Sequence, residues 1–500
     1  MKSVNIMNFV RYIDERIENS VRKLYEMTAQ ELELVNEFGL ENTFLLQYDA
    51  VIDSNYQKLF KEKATDKTEV GLWYEIVEPL TSACGLPYRS EYGWKWDWHI
   101  IPGFSMAYTP HERELLADEA MRKFKEVYGC YPKTVASWLI DTHTINYLAE
   151  NYDISAFAIC RDQVSTDAYT LMGGYFNQAY YPSKNNMFTP AQTDEMSVNV
   201  PMFRLLGSCP IHNYEGSKYL SEKVANGNVY TLEPAWTVGG TPEYVDSLFK
   251  TYFENESLAF AYAQLGQENS FGSECLPALR MQLEKIIKVK DVHIQKMCDT
   301  GEAFKKLFPG KTPATSVVAL ENWDSEDIQA AYYDCQRYTS NIMRYENRIF
   351  IRSLFLFDEN IKDKYIQDTC TTFDAVYENL PVIDTLNYSK GEKFNCGLVI
   401  DTNASAFDAV KVGDGALKIY WKDKSVVFDE EKITIVSEKM CFYTGSMQVR
   451  VSGNQILYSY KGTEYVLRVK NADVMLLEYE DVEIVPENGV CELWPLSIGL

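Results

Sequence analysis

The sequence predicts an α/β chain: a (β/α) barrel, then a helical segment, then a C-terminal antiparallel β-sandwich. Three observations carry this. Short apolar runs ending in polar residues recur through roughly the first 270 residues; longer amphipathic stretches separate several of them; and past Gly391 apolar and polar residues alternate in short runs punctuated by Gly, Asn and Asp.

The apolar runs fall at 4–12 (VNIMNFVRY), 43–50, 69–76, 134–142, 156–163, 200–208, 229–236 and 258–269. Near-continuous apolarity at this length suits a strand buried on both faces. Between them, residues 14–38, 54–63, 109–128 and 241–253 read as helices, and the TP openings at Thr109 and Thr241 fit an N-cap followed by proline in the first turn. Alternating strand and helix implies parallel strands with right-handed crossovers. About eight such units fit a barrel, and an open doubly wound sheet is the other architecture this pattern allows. Residues 274–308 read as one or two helices, and 315–360 as a short strand, a helix and a hairpin. The expected division is a catalytic barrel over 1–272, a helical and mixed α/β extension packing on it over 273–385, and an accessory sandwich over 386–500.

With 72 acidic against 48 basic residues the chain carries a net −24, and no basic cluster interrupts the acidity, which excludes nucleic acid and anionic membrane as partners. The opening residues lack the apolar core of a secretory signal, and no run approaches a membrane span, so a cytoplasmic location is expected. The 11 cysteines show neither CxxC pairs nor zinc-ligand spacing, as reduced thiols would. No GxSxG, GxGxxG or P-loop is present, so no cofactor is expected. Composition gives no oligomeric state.

In a barrel, chemistry sits at the carboxyl ends of the strands. There the sequence places Arg11; Gln47 and Asp49; Glu75; Asp141 and His143; Arg161, Asp162 and Gln163; Arg204; Glu233; and Gln267, Glu268 and Asn269. Five carboxylates (Glu75, Asp141, Asp162, Glu233, Glu268) outnumber three arginines, which favours a pocket over a closed ion-pair network. Between the third and fourth runs, EYGWKWDWH alternates Trp94, Trp96 and Trp98 around Asp97 and His99, a pattern that puts three indoles on one side of an extended segment. Such faces stack on sugar CH groups, and Trp73 and Trp236 join the candidate sugar-binding set. A second aromatic loop over 166–186 offers Asp167, Tyr169, Tyr175, Tyr180 and Tyr181. Acids beneath aromatic loops suit a glycosidase, whose two carboxylates serve as acid and as nucleophile or base; the expected partner is a carbohydrate. A metal-dependent hydrolase using His99 or His143 with carboxylates, and a non-catalytic carbohydrate-binding barrel, are the alternatives.

Taken in order, NFVR, NTFLLQYDA, GLWYEI, WDWH, SWLIDTHT, CRDQ, TLEPAW and GQENSFG resemble a bacterial, gut-type family in the glycoside hydrolase/deacetylase (β/α) barrel superfamily, over roughly residues 1–385. The resemblance implies a distorted seven- or eight-stranded barrel like those of polysaccharide deacetylases and family 57 glycosidases. Deacetylases carry a TFDD-like first strand end where this chain reads NFVR, a metal histidine near the GLWYEI that here holds Glu75, and an RPYG stretch near SWLIDTHT. The resemblance therefore implies glycosidase-like use of the barrel. By analogy with family 57, Asp141 corresponds to the nucleophile and Glu233 or Glu268 to the acid, with Asp141 and Glu268 the leading pair.

Overall fold

The computed structural model describes residues 2–160, 163–166, 169–171, 173–205, 242–259, 261–322, 327–372, 375, 377–388, 396–478 and 481–496. Seven of the eight apolar runs form parallel strands: β1 (Lys2–Val10), β2 (Asn42–Leu46), β3 (Thr68–Trp73), β4 (Thr134–Ala136), β5 (Ala156–Cys160), β6 (Met202–Leu205) and β7 (Ala261–Leu265). The run at 229–236 lies outside the described residues. The strands hydrogen-bond in the order β6-β5-β4-β3-β2-β1-β7, and Val292–Ile294 pairs beside the lower half of β1.

The sheet curls until its two ends nearly meet. The rings of Phe203 on β6 and Tyr262 on β7 stand 5.0 Å apart. The segment around 177–180 fills the seam, exchanging backbone hydrogen bonds with Met202 through Tyr180 and donating the Asn177 amide to the Tyr262 carbonyl at 2.6 Å. The result is a nearly closed seven-strand barrel, with apolar side chains filling its interior as close packing requires.

Helices α1 (Ser20–Phe38), α2 (Ser54–Lys63), α3 (Pro110–Tyr128) and α4 (Thr142–Asn151) follow the strands, each where the sequence supplies a start. Thr109 and Glu112 form a reciprocal capping box at α3 with Pro110 in the first turn, and Asp53 and Asp141 cap α2 and α4. Helix α1 begins six residues later than expected. Asp14 instead accepts from the backbone N–H of Arg16 and chelates its guanidinium, a local turn that competes with helix and leaves 12–19 as a loop at the barrel mouth.

The rest of the chain builds two antiparallel sheets. One orders Thr315–Ala319, Ile328–Asp334, Tyr338–Tyr345, Arg348–Leu356, Gly397–Asp401, Met440–Tyr443, Val482–Pro486 and Ala472–Leu476; the other runs from Ala409–Gly413 through Ala416–Trp421 to Val490–Leu496 and Val449–Ser452. Their facing side chains, among them Ile351, Leu354, Ile400, Ile419, Val426 and Ile456, share one core, giving a β-sandwich. The described residues from 315 to 356 are strand where the sequence suggested an intervening helix. Ile328–Asp334 is covered on both faces, buried at every position but Gln329, so helical amphipathicity has no solvent side to report. Among the described residues no helix is long and apolar enough to cross a membrane.

One glycine sets how closely the first and last barrel strands approach. Gly266, at φ +103°, directly follows β7, and a Cβ there would lie 2.0 Å from the Met7 carbonyl oxygen. This close passage delivers Gln267, Glu268 and Asn269 to the mouth. Gly266→Ala is expected to cost about 3 kcal/mol, measurable as a lowered urea midpoint.

Candidate active site

At the carboxyl end of β1, Asn269 clamps the backbone of Arg11: its Oδ1 accepts from the Arg11 N–H at 3.0 Å, and its Nδ2 donates to the Arg11 carbonyl at 2.8 Å and to Thr28 Oγ1 at 3.0 Å. The fixed guanidinium pairs with Glu268 through Nη1, lies 3.8 Å from Glu75 Oε2 through Nε, and sits 4.2 Å under the centroid of the Trp96 ring. Glu75 Oε2 also accepts from the Trp96 indole at 2.8 Å and from the Gln47 amide. Asp49 stands in the short helix Tyr48–Ile52 after β2, where its Oδ1 takes the Ala50 N–H at 2.9 Å. Burial pushes the Asp49 carboxyl up to about 7; the Ala50 hydrogen bond opposes the rise, and the nearby charges of Glu75 and Glu15 add to it.

Strands β1, β2, β3 and β7 thus bring Arg11, Gln47, Asp49, Glu75 and Glu268 together. Beneath them Phe9, Trp73 and Trp138 meet across the barrel interior, Phe9 stacked on Trp73 at 4.4 Å and both rings edge-on to Trp138. Among the described residues, Glu75 Oε1, Asp49 Oδ2, Gln47 Oε1 and the indole nitrogens of Trp73 and Trp138 are buried and meet no hydrogen-bond partner. Buried polar groups are nearly always paired, so the carboxylate and amide oxygens of this cluster have capacity left for a polar ligand.

The tryptophan segment covers this cluster. Trp94 lies 5.1 Å from Trp98, Trp98 lies 6.0 Å from Trp96 and 4.8 Å from His99, and the Arg16 guanidinium sits between the Trp96 and Trp98 rings. Trp96 is buried; Trp94 and Trp98 are half-buried. Asp97 anchors the segment, accepting from Ser90 Oγ at 2.7 Å and holding the His99 backbone N–H and ring Nδ1, the latter at 2.6 Å.

Other candidates stand elsewhere. Asp141 is wholly buried; its oxygens take the Arg113 guanidinium at 3.0 Å, the Thr144 N–H and hydroxyl, and the Ser105 hydroxyl. Arg113 also donates to the carbonyls of Met106, Tyr108, Tyr365 and Asp368, tying residues 365–368 to the barrel. His143 pairs with Glu114 on the helical surface, and Gln267 donates to Glu31 beneath the mouth. Arg204 is engaged by the carbonyls of Cys160, Gly173 and Tyr175. Tyr175, Tyr180 and Tyr181 are buried, their hydroxyls spent on the carbonyls of Pro313, Met187 and Phe308, so this part of the second aromatic loop is core and offers no sugar platform. Gln163 and Tyr169 are described only as members of a small antiparallel pair. Arg161, Asp162, Asp167, Glu233 and Trp236 lie outside the described residues. Sequence reasoning missed Trp138 and Arg113; the inward position of Trp138 three residues before Asp141 was its only signal. Among the described residues no three His, Cys, Asp or Glu side chains gather as metal ligands.

Two outcomes follow from these environments. Asp141→Asn strands the Arg113 guanidinium in the interior and is expected to cost about 3 kcal/mol or more in urea denaturation. The raised Asp49 value means that between its unfolded value of roughly 4 and its folded value of about 7 the native state holds a proton the unfolded chain has released. Stability therefore falls as pH rises through that window, by up to about 4 kcal/mol, and Asp363, pushed by burial to about 6, adds to the fall. Asp49→Asn should flatten much of that slope and melt above wild type at pH 8.

No protein-family model and no curated protein matches the chain. Solved structures do. A Parabacteroides distasonis protein, provisionally described as a glycoside hydrolase/deacetylase, superposes with a TM-score of 0.54 at 14 % identity, covering 74 % of this chain and 88 % of its own. A provisionally described polysaccharide deacetylase from Pseudomonas aeruginosa PAO1 gives a TM-score of 0.39 at 12 % identity over 61 % of this chain and 92 % of its own. The 4-alpha-glucanotransferase of Thermococcus litoralis gives 0.31 at 9 % over 99 % and 98 %. At such identities the likeness is one of fold: over most of its length the chain shares the architecture of the Parabacteroides protein.

Proposed function

We propose that the protein is a carbohydrate-active hydrolase cleaving a glycosidic bond at the barrel mouth, with Asp49 as the acid and Glu75 as the opposing carboxylate. One observation carries this reading. A buried carboxyl with a value of about 7 and an unpartnered oxygen stands in the field of a second carboxylate that also has an unpartnered oxygen. Paired carboxyl environments that differ in this way are how acid and nucleophile or base are separated in glycoside hydrolysis. In the proposed reaction Asp49 gives its proton to the glycosidic oxygen as the bond to the anomeric carbon breaks. Glu75 attacks that carbon or deprotonates the water that does. Arg11, between Glu75 and Glu268, offsets part of their charge.

In this reading Glu268 positions Arg11, while Asp141 belongs to the frame. Asp162 and Glu233 complete the candidate acids. The fold class also contains deacetylases, and the products formed distinguish that activity from glycosidic cleavage.

Incubating the protein with a panel of oligosaccharides and acetylated oligosaccharides, and assaying reducing ends and acetate separately, tests the reading. Reducing ends should appear, and Glu75→Gln and Asp49→Asn should each lower kcat about a hundredfold or more with unchanged circular dichroism. The wild-type rate should fall on the alkaline side with a midpoint near 7, as Asp49 loses its proton. Acetate without reducing ends would instead assign a deacetylase, and neither product with retained binding a carbohydrate-binding barrel.

A further inference from the structure

A cleft of about 850 Å³ opens beside the barrel mouth, between the loop after β1, the first turns of α1 and the start of α2. Its walls include Tyr12, Tyr25, Glu15, Arg22, Asp53 and Asn55, with Tyr56 at its base. This volume lies within the range of sites that enclose small organic ligands. The cleft is not the carboxylate cluster itself, whose side chains do not line it.

The two are joined through shared atoms. Arg11 turns its guanidinium to Glu75 and Glu268, while its carbonyl, held by Asn269 at 2.8 Å, also accepts from Tyr56 Oη at 3.4 Å. Glu15, in the cleft wall, accepts from the backbone N–H groups of Lys95 and Trp96, the residue whose indole donates to Glu75. Tyr12, next in sequence to Arg11, is raised by burial and further by the charges of Asp53 and Asp49, which places the cleft within electrostatic reach of the acid.

The wall chemistry selects the occupant. Tyr12 and Tyr25 are half-buried and pack around Tyr56, at 6.2 and 5.3 Å, presenting aromatic surface. Around them stand carboxylates, an amide and the exposed Arg22, already 3.7 Å from Glu26. An uncharged ring with apolar CH faces and hydroxyl edges satisfies both: the faces lie on tyrosine, and the hydroxyls bond to carboxylate, amide and guanidinium. We infer that this cleft is a subsite for further sugar units of the chain being cut, so that the protein acts on oligosaccharides extending beyond the scissile bond and acts poorly on disaccharides. The inference rests on the glycosidase reading of the mouth and adds its substrate class.

The test uses the full chain with Tyr25→Ala, which removes a stacking face, and Val21→Trp, which fills the cleft from an exposed position without touching the core. On a hexasaccharide that the wild type turns over, kcat/KM should fall about tenfold or more in both variants; on the matching disaccharide it should change less than about twofold. Equal losses on both lengths, or none on either, would overturn the subsite. Calorimetric titration of Glu75→Gln with the same sugars separates the two levels of the argument. If hexasaccharide binds and Tyr25→Ala in that background weakens it about tenfold, the subsite stands even where the assignment of Asp49 and Glu75 fails. If no member of the panel is bound or cut, the carbohydrate reading and the subsite fall together.

Discussion

A buried guanidinium is the constraint on which the mouth of this barrel depends. Arg11 is 5 % exposed, and so is held out of bulk water beside Glu75 and Glu268, which are 2 % and 3 % exposed. A charge in that setting is tolerable only when paired and hydrogen-bonded. Its pairing recruits three strands and the covering loop at once: β1 provides the arginine, β7 leads to Glu268 and Asn269, β3 leads to Glu75, and Trp96 stacks above. Removing Arg11 leaves two buried carboxylates without their cation, and removing either carboxylate leaves the guanidinium short of a partner.

The pairing is incomplete in a way that bears on chemistry. Arg11 contacts two carboxylates, and among its described neighbours the Asp49 carboxyl meets backbone N–H groups, with Glu75 and Glu15 acting on it as like charges. One guanidinium already faces two carboxylates, so among the described residues Asp49 meets no cation of its own, and burial without a counter-charge favours its protonated form. Contrast Asp141, equally buried, whose charge meets Arg113 and whose oxygens are all engaged. The two aspartates differ little in depth and greatly in partnership.

That contrast also shows how much was legible in advance. The strands and the polar residues at their ends could be read because period and run length report burial directly, and seven of the eight runs are barrel strands. What could not be read was what each strand-end acid meets. Asp141 and Glu75 both follow an apolar run, but the T-H-T sequence after Asp141 makes it a helix N-cap, and its cation lies 28 residues back inside an amphipathic helix whose Arg113 looks like any surface arginine. Asp49 was legible as a strand-end residue yet not as an acid of unusual proton affinity, since that depends first on how deeply the fold buries it and then on the charges of Glu75 and Glu15. The tyrosines at 175–181 mislead for the reverse reason: hydroxyls that suit a sugar suit buried carbonyls equally well, and the seam of the barrel needed them.

The same logic accounts for where the loops lie. A strand that ends in a buried ion pair must hand the chain on without exposing that pair, and after β1 the chain does so by the Asp14–Arg16 turn, which withholds residues 12–19 from helix α1. The delayed helix start does two things together. It sends Arg16 under Trp96 and Trp98, giving the cover a cationic support, and it leaves the space between the loop and α2 open as the tyrosine-lined cleft. Had the helix begun at Asp14, as its periodicity alone suggests, its first turn would occupy that space and the indole cover would lose its support. The cover and the cleft are therefore consequences of one local competition between a side-chain turn and a helix, and Arg11 stands at the hinge of both.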